Sequence, residues 1–279
     1  FEDREPLALP AEDELQPQPL ADLVTAWRDL DGDRPVEVFH DAEQAYQQAM
    51  QLFTVGLLGL EQRALAERLF WAICTRLRDR YGDGEELPAA VADLPAALSD
   101  IYFCNFSVFQ SLPDFWAIDQ LFPIMPIHRL DEPPTRAATL ADITCDSDGK
   151  VDRFALPGGP SPLLPVHPLR EDEAYYLGAF LIGAYQETLG DLHNLFGDTH
   201  VVTIHPEADG GWSIDEIVRG DTASELLGYM QFSTESLRPR IWRDCERAVR
   251  DGRLTLAESQ ALRRFYEEEL ESYAYLDLP

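Results

Sequence analysis

The sequence contains very little lysine, little cysteine and no long apolar stretch. Lys150 is the only lysine, although lysine and arginine together number 22 among the 279 residues. The four cysteines, Cys74, Cys104, Cys145 and Cys245, form no CxxC pair and no zinc-site spacing, so neither a disulfide framework nor a structural zinc site is expected. No segment approaches the roughly 20 apolar residues of a membrane-spanning helix. These absences favour a cytoplasmic protein with reduced thiols.

Sequence motifs of several enzyme classes are also missing. The six histidines include no HxxxH pair, and the chain has no GxGxxG, GxSxG or P-loop. A self-contained nucleotide, serine-hydrolase or helical zinc site is therefore not predicted.

Positive charge is scarce overall, because 22 basic residues face 51 acidic ones and the formal charge is −29. Such a surface repels phosphates and anionic lipids, which excludes nucleic acids and membranes as expected partners. We hypothesise a salt-tolerant source, since salt screens the repulsion between like charges. The melting temperature should then rise with KCl, and a steady fall up to molar KCl would contradict the hypothesis.

The ends of the chain and its middle differ in hydrophobic period. Residues 1–20 are rich in acids and proline, which predicts an extended, mobile linker; with no initial methionine, we expect a fragment of a longer protein. Two helical segments follow, one after Asp41 as N-cap and one over "LEQRALAERLFWAICTRLRDRYGDG", ending at Gly82, and they predict an antiparallel helical bundle. The apolar positions with helical spacing are Tyr46, Ala49, Met50, Phe53 and Leu57, then Leu65, Leu69, Ile73 and Leu77.

A β-rich region begins near residue 100, where the period changes from helical to two. Strands are predicted over "IYFCNFSVFQ" (101–110), "ATLADITC" (138–145), "VDRFAL" (151–156) and "AYYLGAFLIGAY" (174–185). The segment 200–218, "HVVTIHPEADGGWSIDEIV", predicts a hairpin with a glycine-containing loop.

Helices return after residue 221. Thr222 with Glu225, and Thr255 with Glu258, fit capping boxes. Two apolar stripes follow these starts: Leu237, Ile241, Cys245 and Val249, then Leu262, Phe265, Tyr266 and Leu270.

The stretch "DITCDSDGKVD" (142–152) concentrates acids, a cysteine and a glycine in one turn. It fails as an EF-hand loop, because glycine is fourth and proline twelfth when counted from Asp146. A plain hairpin tip explains the aspartates and Gly149. It does not explain Cys145, whose thiol, mostly protonated at neutral pH, could donate a proton while its acidic neighbours bind a cationic ligand. Both interpretations stay open from the residues alone.

Three long blocks resemble the biosynthetic arginine decarboxylases of bacteria. They are "FCNFSVFQSLPDFWAIDQLFPIMPIHRLDE" (103–132), "LADITCDSDGKVDRF" (140–154) and "LGAFLIGAYQETLGDLHNLFGDTH" (177–200). The resemblance covers nearly the whole chain but only the C-terminal part of such an enzyme, and those enzymes use pyridoxal phosphate and have an alanine racemase-like fold.

The resemblance implies an α+β fold divided into four segments. Residues 1–35 correspond to a linker and the start of the helical region, 36–98 to a helical bundle insertion, 99–221 to an antiparallel-rich β-domain with the active-site turn, and 222–279 to a C-terminal helical extension. The (β/α)₈ barrel, with the Schiff-base lysine and most of the cofactor site, is absent from this sequence.

The resemblance also implies roles for four residues at an active site shared between subunits. Cys145 matches the proton donor to the carbon that loses CO₂, and Asp146 the acid that holds the distal cationic group of the substrate. Asp148 is a second candidate for the guanidinium, and Tyr185, at a predicted strand end, matches a ligand of the cofactor phosphate. Whether His193 and Asn194 line the site or a polar helix face is left open. Trp116, Asp119 and Gln120 are assigned to packing.

The function expected from this resemblance is the C-terminal part of a decarboxylase that converts L-arginine to agmatine and CO₂ in polyamine biosynthesis. A homodimer or larger homo-oligomer is implied, with Mg²⁺ by family association only and no metal-ligand cluster in the sequence. Lys150 lies in the wrong motif to bind the cofactor and arginine does not deprotonate, so the chain alone should be inactive. The alternatives are a non-catalytic regulatory relative and a decarboxylase for another basic amino acid.

Overall fold

A computed structural model of the chain describes residues 16–81, 88, 91–92 and 94–276. These residues form two units, the first ending at Ser99 and the second beginning at Asp100. Helices come first, short and mostly antiparallel strands follow, and helices return, which confirms the predicted α+β class. Within the described residues no (β/α)₈ barrel is present.

The first unit is a helical bundle whose core lies between its three long helices. The predicted stripe of the third helix is confirmed, because Leu69, Ile73 and Leu77 are fully buried. Tyr46 stacks on Phe70 with 4.5 Å between ring centroids, so the second helix contributes aromatic area to the same core. The helices are α1 (Gln18–Asp29), α2 (Pro35–Thr54), α3 (Leu60–Tyr81) and α4 (Leu94–Ala97).

The start of two helices differs from the prediction. Helix α2 begins at Pro35, so Asp41 lies inside it and is not the N-cap. Helix α1 begins at Gln18, so the expected extended segment ends earlier than residue 20. Each helix has proline in its first turn, where the missing N–H costs nothing and the fixed φ suits the helix. The predicted end of α3 at Gly82 lies outside the described residues.

The second unit is built around one four-stranded sheet. Its central strand pairs in parallel with the first strand, and it pairs antiparallel with two later strands along its other edge. Apolar side chains from this sheet, from a neighbouring two-stranded sheet and from two short helices form a separate core that includes Phe154, Val151 and Phe109. The elements are β1 (Asp100–Phe103), α5 (Val108–Ser111), α6 (Pro113–Ile118), β2 (Ile124–Pro126), β3 (Arg136–Ala141), β4 (Lys150–Val151), β5 (Phe154–Leu156), β6 (Gly159–Ser161), β7 (Leu164–Val166), β8 (Leu177–Ala179), α7 (Ala184–Thr188), β9 (Val201–Pro206), β10 (Trp212–Val218), α8 (Ala223–Tyr229), α9 (Thr234–Arg250) and α10 (Leu256–Leu270).

Two predicted strands end early and continue as short helices. The first stops at Phe103, because Ser107 caps α5 by accepting a hydrogen bond from the Gln110 backbone N–H. The segment 174–185 forms a strand only over β8, and its end lies in α7, so the expected position of Tyr185 at a strand end is wrong. The hairpin over β9 and β10 and the connection between β3 and β4 are confirmed.

Helices α8 and α10 begin where the sequence predicts, but the predicted apolar stripes of the C-terminal helices are only partly buried. Both capping boxes are present, at the starts of α8 and α10. Cys245 and Leu270 are buried, whereas Leu262 and Phe265 are exposed. Among described elements α10 contacts chiefly α8 and α9, and such a small group of helices covers only a narrow seam of each member.

Thr255 should contribute measurable stability through its cap. Its hydroxyl accepts from the Glu258 N–H, and the Glu258 carboxylate accepts from the Thr255 N–H at 2.8 Å. Replacing Thr255 with alanine should lower the free energy of unfolding of the second unit by about 1 kcal/mol, measured by urea titration of the chain. The matched control is Ser233→Ala, because the Ser233 side chain makes no cap hydrogen bond at the start of α9.

The same cap should be sensitive to acid. Hydrogen bonds from Thr255 lower the pKa of Glu258, so the stabilisation is present above the ordinary glutamate pKa and is lost as pH falls through the lowered one. The difference between wild type and Thr255→Ala should therefore shrink below about pH 4. The variant keeps the backbone N–H of residue 255, so the pH dependence reports the hydrogen bond that the Thr255 hydroxyl donates to the Glu258 carboxylate at 2.8 Å. An unchanged difference at acid pH would show that this hydroxyl–carboxylate bond does not stabilise the cap.

None of the described helices combines the length and the apolar character needed to cross a bilayer.

Candidate functional site

The turn between β3 and β4 is anchored by a buried aspartate. Asp142 is 3% exposed, and its Oδ2 accepts the Val108 N–H at the start of α5 at 2.9 Å. Its Oδ1 accepts from both the N–H and the hydroxyl of Thr144, at 2.9 and 2.6 Å. The Asp142 backbone N–H donates to the carbonyl of Gly149 at 2.8 Å, which closes the loop. These bonds satisfy the buried carboxylate and fix the shape of residues 142–149.

Cys145 projects from this anchored turn into solvent. Its Sγ lies 3.2 Å from Asn194 Oδ1, at hydrogen-bond distance for a thiol donor. Two further thiols lie inside the protein, where burial raises the pKa of Cys74 to about 12 and that of Cys104 to about 11. Cys145 is thus accessible to a ligand from solvent, whereas Cys74 and Cys104 are held as neutral thiols.

Asp146 is held as a carboxylate by neighbours on two sides. Its Oδ1 accepts the Asp148 N–H at 2.8 Å, and its Oδ2 lies 3.2 Å from His193 Nε2. The backbone hydrogen bond from Asp148 is the main cause that lowers its pKa, and the contact with His193 acts in the same direction. Asp146 therefore stays negatively charged well below neutral pH and suits a cationic ligand group.

One buried ring packs against the aromatic side chains that contact Asp146 and Asp148. Phe109 is 2% exposed, and its ring centroid lies 4.4 Å from that of His193 and 5.2 Å from that of Trp116. The Trp116 Nε1–H points to Asp148 Oδ2 across 3.5 Å. Trp116, which the sequence assigned only to packing, is therefore also a neighbour of the turn.

Tyr185 is 75% exposed on α7, and no described contact joins its side chain to Cys145 or Asp146. The next residue holds the helix in place: Gln186 is buried, its Oε1 accepts the Asp114 N–H at 3.1 Å, and its Nε2 donates to the Asp114 carboxylate. The helix therefore presents the phenol hydroxyl outward. The structure brings Cys145, Asp146 and Asp148 together on one turn and places Tyr185 on another element.

The Lys150 ammonium group forms a salt bridge with Asp152. Its Nζ lies 2.8 Å from Asp152 Oδ2, and this hydrogen bond raises the pKa of the ammonium group. A lysine that binds pyridoxal phosphate covalently must be a neutral amine, so Lys150 does not fit that role.

The described residues contain no group of three or more histidine, cysteine or acidic side chains that could hold a metal ion. An open cavity of about 690 Å³ lies in the second unit, lined mostly by apolar and aromatic side chains such as Tyr102, Phe106 and Tyr175. None of the four predicted site residues lines it. The cavity is therefore not formed by the residues that the sequence assigned to the active site.

Sequence reasoning missed Asp142 and left His193 and Asn194 undecided. An aspartate that directly follows a strand and precedes threonine by two residues is typical of a side chain that closes a turn, and this signal could have identified Asp142. The contacts of His193 and Asn194 join residues nearly 50 positions apart, which no local pattern encodes.

Two family models match the ends of the chain. Residues 13–94 match the arginine decarboxylase helical bundle domain, and residues 223–276 match the arginine decarboxylase C-terminal helical extension. The region between these two matches contains the turn with Cys145.

Curated relatives match nearly the whole chain. The biosynthetic arginine decarboxylase of Gloeobacter violaceus is 48% identical over 261 residues, which cover 92% of this chain and 40% of the relative. That of a Nostoc species is 50% identical over 241 residues, 86% of this chain and 35% of the relative. The chain therefore spans about two fifths of the length of the curated relatives it matches.

A solved structure shares the fold. The crystal structure of the biosynthetic arginine decarboxylase of Campylobacter jejuni superposes with a TM-score of 0.76 at 28% identity, covering 96% of this chain and 43% of that one.

Proposed function

We propose that this chain, which is homologous to the C-terminal part of biosynthetic arginine decarboxylases, supplies the proton donor and the substrate anchor of an enzyme that converts L-arginine to agmatine and CO₂. The observation that carries the proposal is the β3–β4 turn, which holds an exposed thiol beside an ionised carboxylate. The rest of the enzyme, including the cofactor-binding barrel, would come from a part of the protein that this sequence does not contain.

Cys145 is the proton donor in this proposal. When the substrate carboxylate leaves as CO₂, the bonding electron pair stays on the α-carbon, and agmatine forms when a proton is added there. The Cys145 S–H bond breaks, the new C–H bond takes the proton, and the sulfur keeps its electron pair as a thiolate. Exposure of the thiol allows solvent to return a proton before the next turnover.

Asp146 binds the distal end of the substrate. A guanidinium is planar and always charged, and it forms its strongest hydrogen bonds with a fixed carboxylate. His193 and the Asp148 N–H fix the Asp146 carboxylate, and Asp148 adds a second negative charge on the same turn. Trp116 lies beside Asp148 and offers an aromatic surface to the flat guanidinium.

The described residues fit only an outer contact with pyridoxal phosphate. In enzymes that use it, this cofactor supplies the electron sink that makes loss of CO₂ possible. Tyr185 has an exposed hydroxyl that suits a phosphate oxygen, but Lys150 is paired with Asp152 and is not a neutral amine. We therefore assign this chain one phosphate contact, and we propose that sites are completed between subunits of a homodimer or larger homo-oligomer.

A fusion enzyme tests the proposal. The part of the Gloeobacter violaceus relative that precedes its match is joined to residues 1–279, and both the fusion and the chain alone are assayed with arginine, ornithine and lysine. We expect the fusion to release CO₂ and agmatine from arginine, and the chain alone to release none.

The alternatives give different results in the same assay. Preference for ornithine or lysine would show a decarboxylase for another basic amino acid. A fusion that binds pyridoxal phosphate but decarboxylates none of the three would favour a non-catalytic regulatory relative. Turnover by the chain alone, with a borohydride-trapped adduct at Lys150, would overturn the assignment of the cofactor to another part of the protein.

A further inference from the structure

The loop after α7 lies against the turn that carries Cys145. Within it, residues 193–195 form a single 3₁₀ turn, and Asn194 and Leu195 both have left-handed backbone conformations, with φ of 59° and 61°. Asparagine tolerates this region better than most residues, but leucine does not, so the loop conformation costs on the order of 1 kcal/mol or more. Such a conformation persists only where surrounding contacts hold it.

Contacts on both sides of the loop hold it in place. Before the turn, the Asp191 N–H donates to the carbonyl of Phe109 at 3.1 Å, and the His193 ring packs on the Phe109 ring. After it, the buried Tyr275 hydroxyl donates to the carbonyl of Gly197 at 2.8 Å. These anchors direct the Asn194 side chain toward the sulfur of Cys145.

The side-chain amide of Asn194 uses its acceptor oxygen but not its donor nitrogen. Its Oδ1 accepts from the Cys145 thiol at 3.2 Å, while its Nδ2 is buried and makes no hydrogen bond within the described residues. A buried amide donor without a partner costs about 1–3 kcal/mol, so its presence requires a reason.

A carboxamide can pair with sulfur in both protonation states. With Oδ1 toward the sulfur it accepts the S–H of the thiol, and after a rotation of the amide Nδ2 donates to the thiolate. Neither a carboxylate nor an alkyl group can do both. The sulfur of a proton donor passes through both states in every turnover.

We propose that Asn194 is a positioning residue that directs the Cys145 thiol in its protonated state and donates a hydrogen bond to the thiolate after the proton has left. The proposal rests on the proposed function for its catalytic meaning and on the Asn194–Cys145 contact for its geometry. The charged or titratable groups within three residues of the contact on the two facing segments are Asp142, Asp146 and Asp148 on the turn and Asp191 and His193 on the loop. Asp142 is buried and accepts from Val108 and Thr144, and Asp146 lies 3.2 Å from His193.

Alkylation of Cys145 by iodoacetamide tests the contact in the 279-residue chain without cofactor or turnover. The rate is followed from pH 6 to 10 by mass spectrometry of the peptide that contains Cys145. Asn194→Asp keeps the shape but replaces the donor with a negative charge, so alkylation at pH 7.5 should slow about tenfold, equivalent to about one pKa unit. Asn194→Gly keeps the left-handed backbone and removes the amide, and it should slow alkylation about two- to threefold.

Asn105→Asp is the matched control, because Asn105 is the other asparagine of the chain and its side chain bonds the backbone of Leu276. It should leave the alkylation profile close to that of wild type. If the profiles of both Asn194 variants overlay that of wild type, the proposal is wrong.

The fusion enzyme separates this inference from the proposed function. If the fusion decarboxylates arginine, both Asn194 variants should lower the ratio of agmatine to CO₂, whereas equal amounts of the two products would contradict the positioning role. If the fusion acts on no basic amino acid, the proposed function fails, and the alkylation profile alone decides whether Asn194 controls the thiol.

Discussion

Replacing Cys145 with alanine in the fusion enzyme should lower agmatine formation from arginine by about 100-fold or more, since a positioned general acid typically contributes 10²–10⁴-fold. The exposed thiol directly precedes, in sequence, the carboxylate that we assign to the substrate guanidinium. Without it, water or another group protonates the substrate more slowly and with less control of position. CO₂ and agmatine should therefore be measured separately, and we expect less than one agmatine per CO₂.

Cys104→Ala is the control for this experiment. Cys104 is partly buried, its thiol donates to the carbonyl of Tyr102 at 3.5 Å, and its raised pKa keeps it neutral. Removing that thiol should change neither the rate nor the product ratio by more than about twofold. A Cys145→Ala enzyme with the same rate and the same one-to-one products as wild type would exclude Cys145 as the donor.

Replacing Gly149 with alanine should destabilise the second unit by about 2–4 kcal/mol. A Cβ atom at this position would lie 2.2 Å from Asp142 Oδ1 and 2.4 Å from Thr144 Oγ1. Asp142 cannot move aside cheaply, because it is buried and accepts hydrogen bonds from Val108 and Thr144. Urea unfolding followed by hydrogen exchange in peptides from β3 and β4 would measure the loss.

Two further variants identify the cause of that loss. Gly158→Ala should be close to neutral, because a Cβ there meets no atom within 4 Å. Asp142→Ala with Gly149→Ala should cost less than the sum of the single changes, since removal of the carboxylate makes room for the new methyl group. Strict additivity would show that the clash with Asp142 is not the source.

The order of helices, strands and helices could be predicted from the sequence because each part has its own hydrophobic period. The capping boxes at Thr222 and Thr255 were also predictable, since both partners lie within four residues. The strand predicted through residue 110 was wrong because local capping by Ser107 competes with a period-two pattern. The predicted N-cap at Asp41 failed because a proline earlier in the chain starts the helix.

The site could be predicted only where its residues are neighbours in sequence. Cys145, Asp146 and Asp148 follow one another on a turn whose composition is visible in the chain. The partners of these residues could not be inferred, because the contacts of Asn194 and His193 depend on how two distant loops pack. Their assigned roles remain predictions until the variants above are measured.

The shared contact of Phe109 with His193 and Trp116 has a consequence for how substitutions at this position should be judged. A survey scored by folding alone would class Phe109 as an ordinary interior position and would accept leucine there as a mild change. Leucine, however, gives no flat surface to either ring. In a folded variant the His193 imidazole and the Trp116 indole could therefore turn away from Asp146 and Asp148. Tolerance of a residue in abundance screens is therefore a poor guide to its tolerance in recognition at this turn.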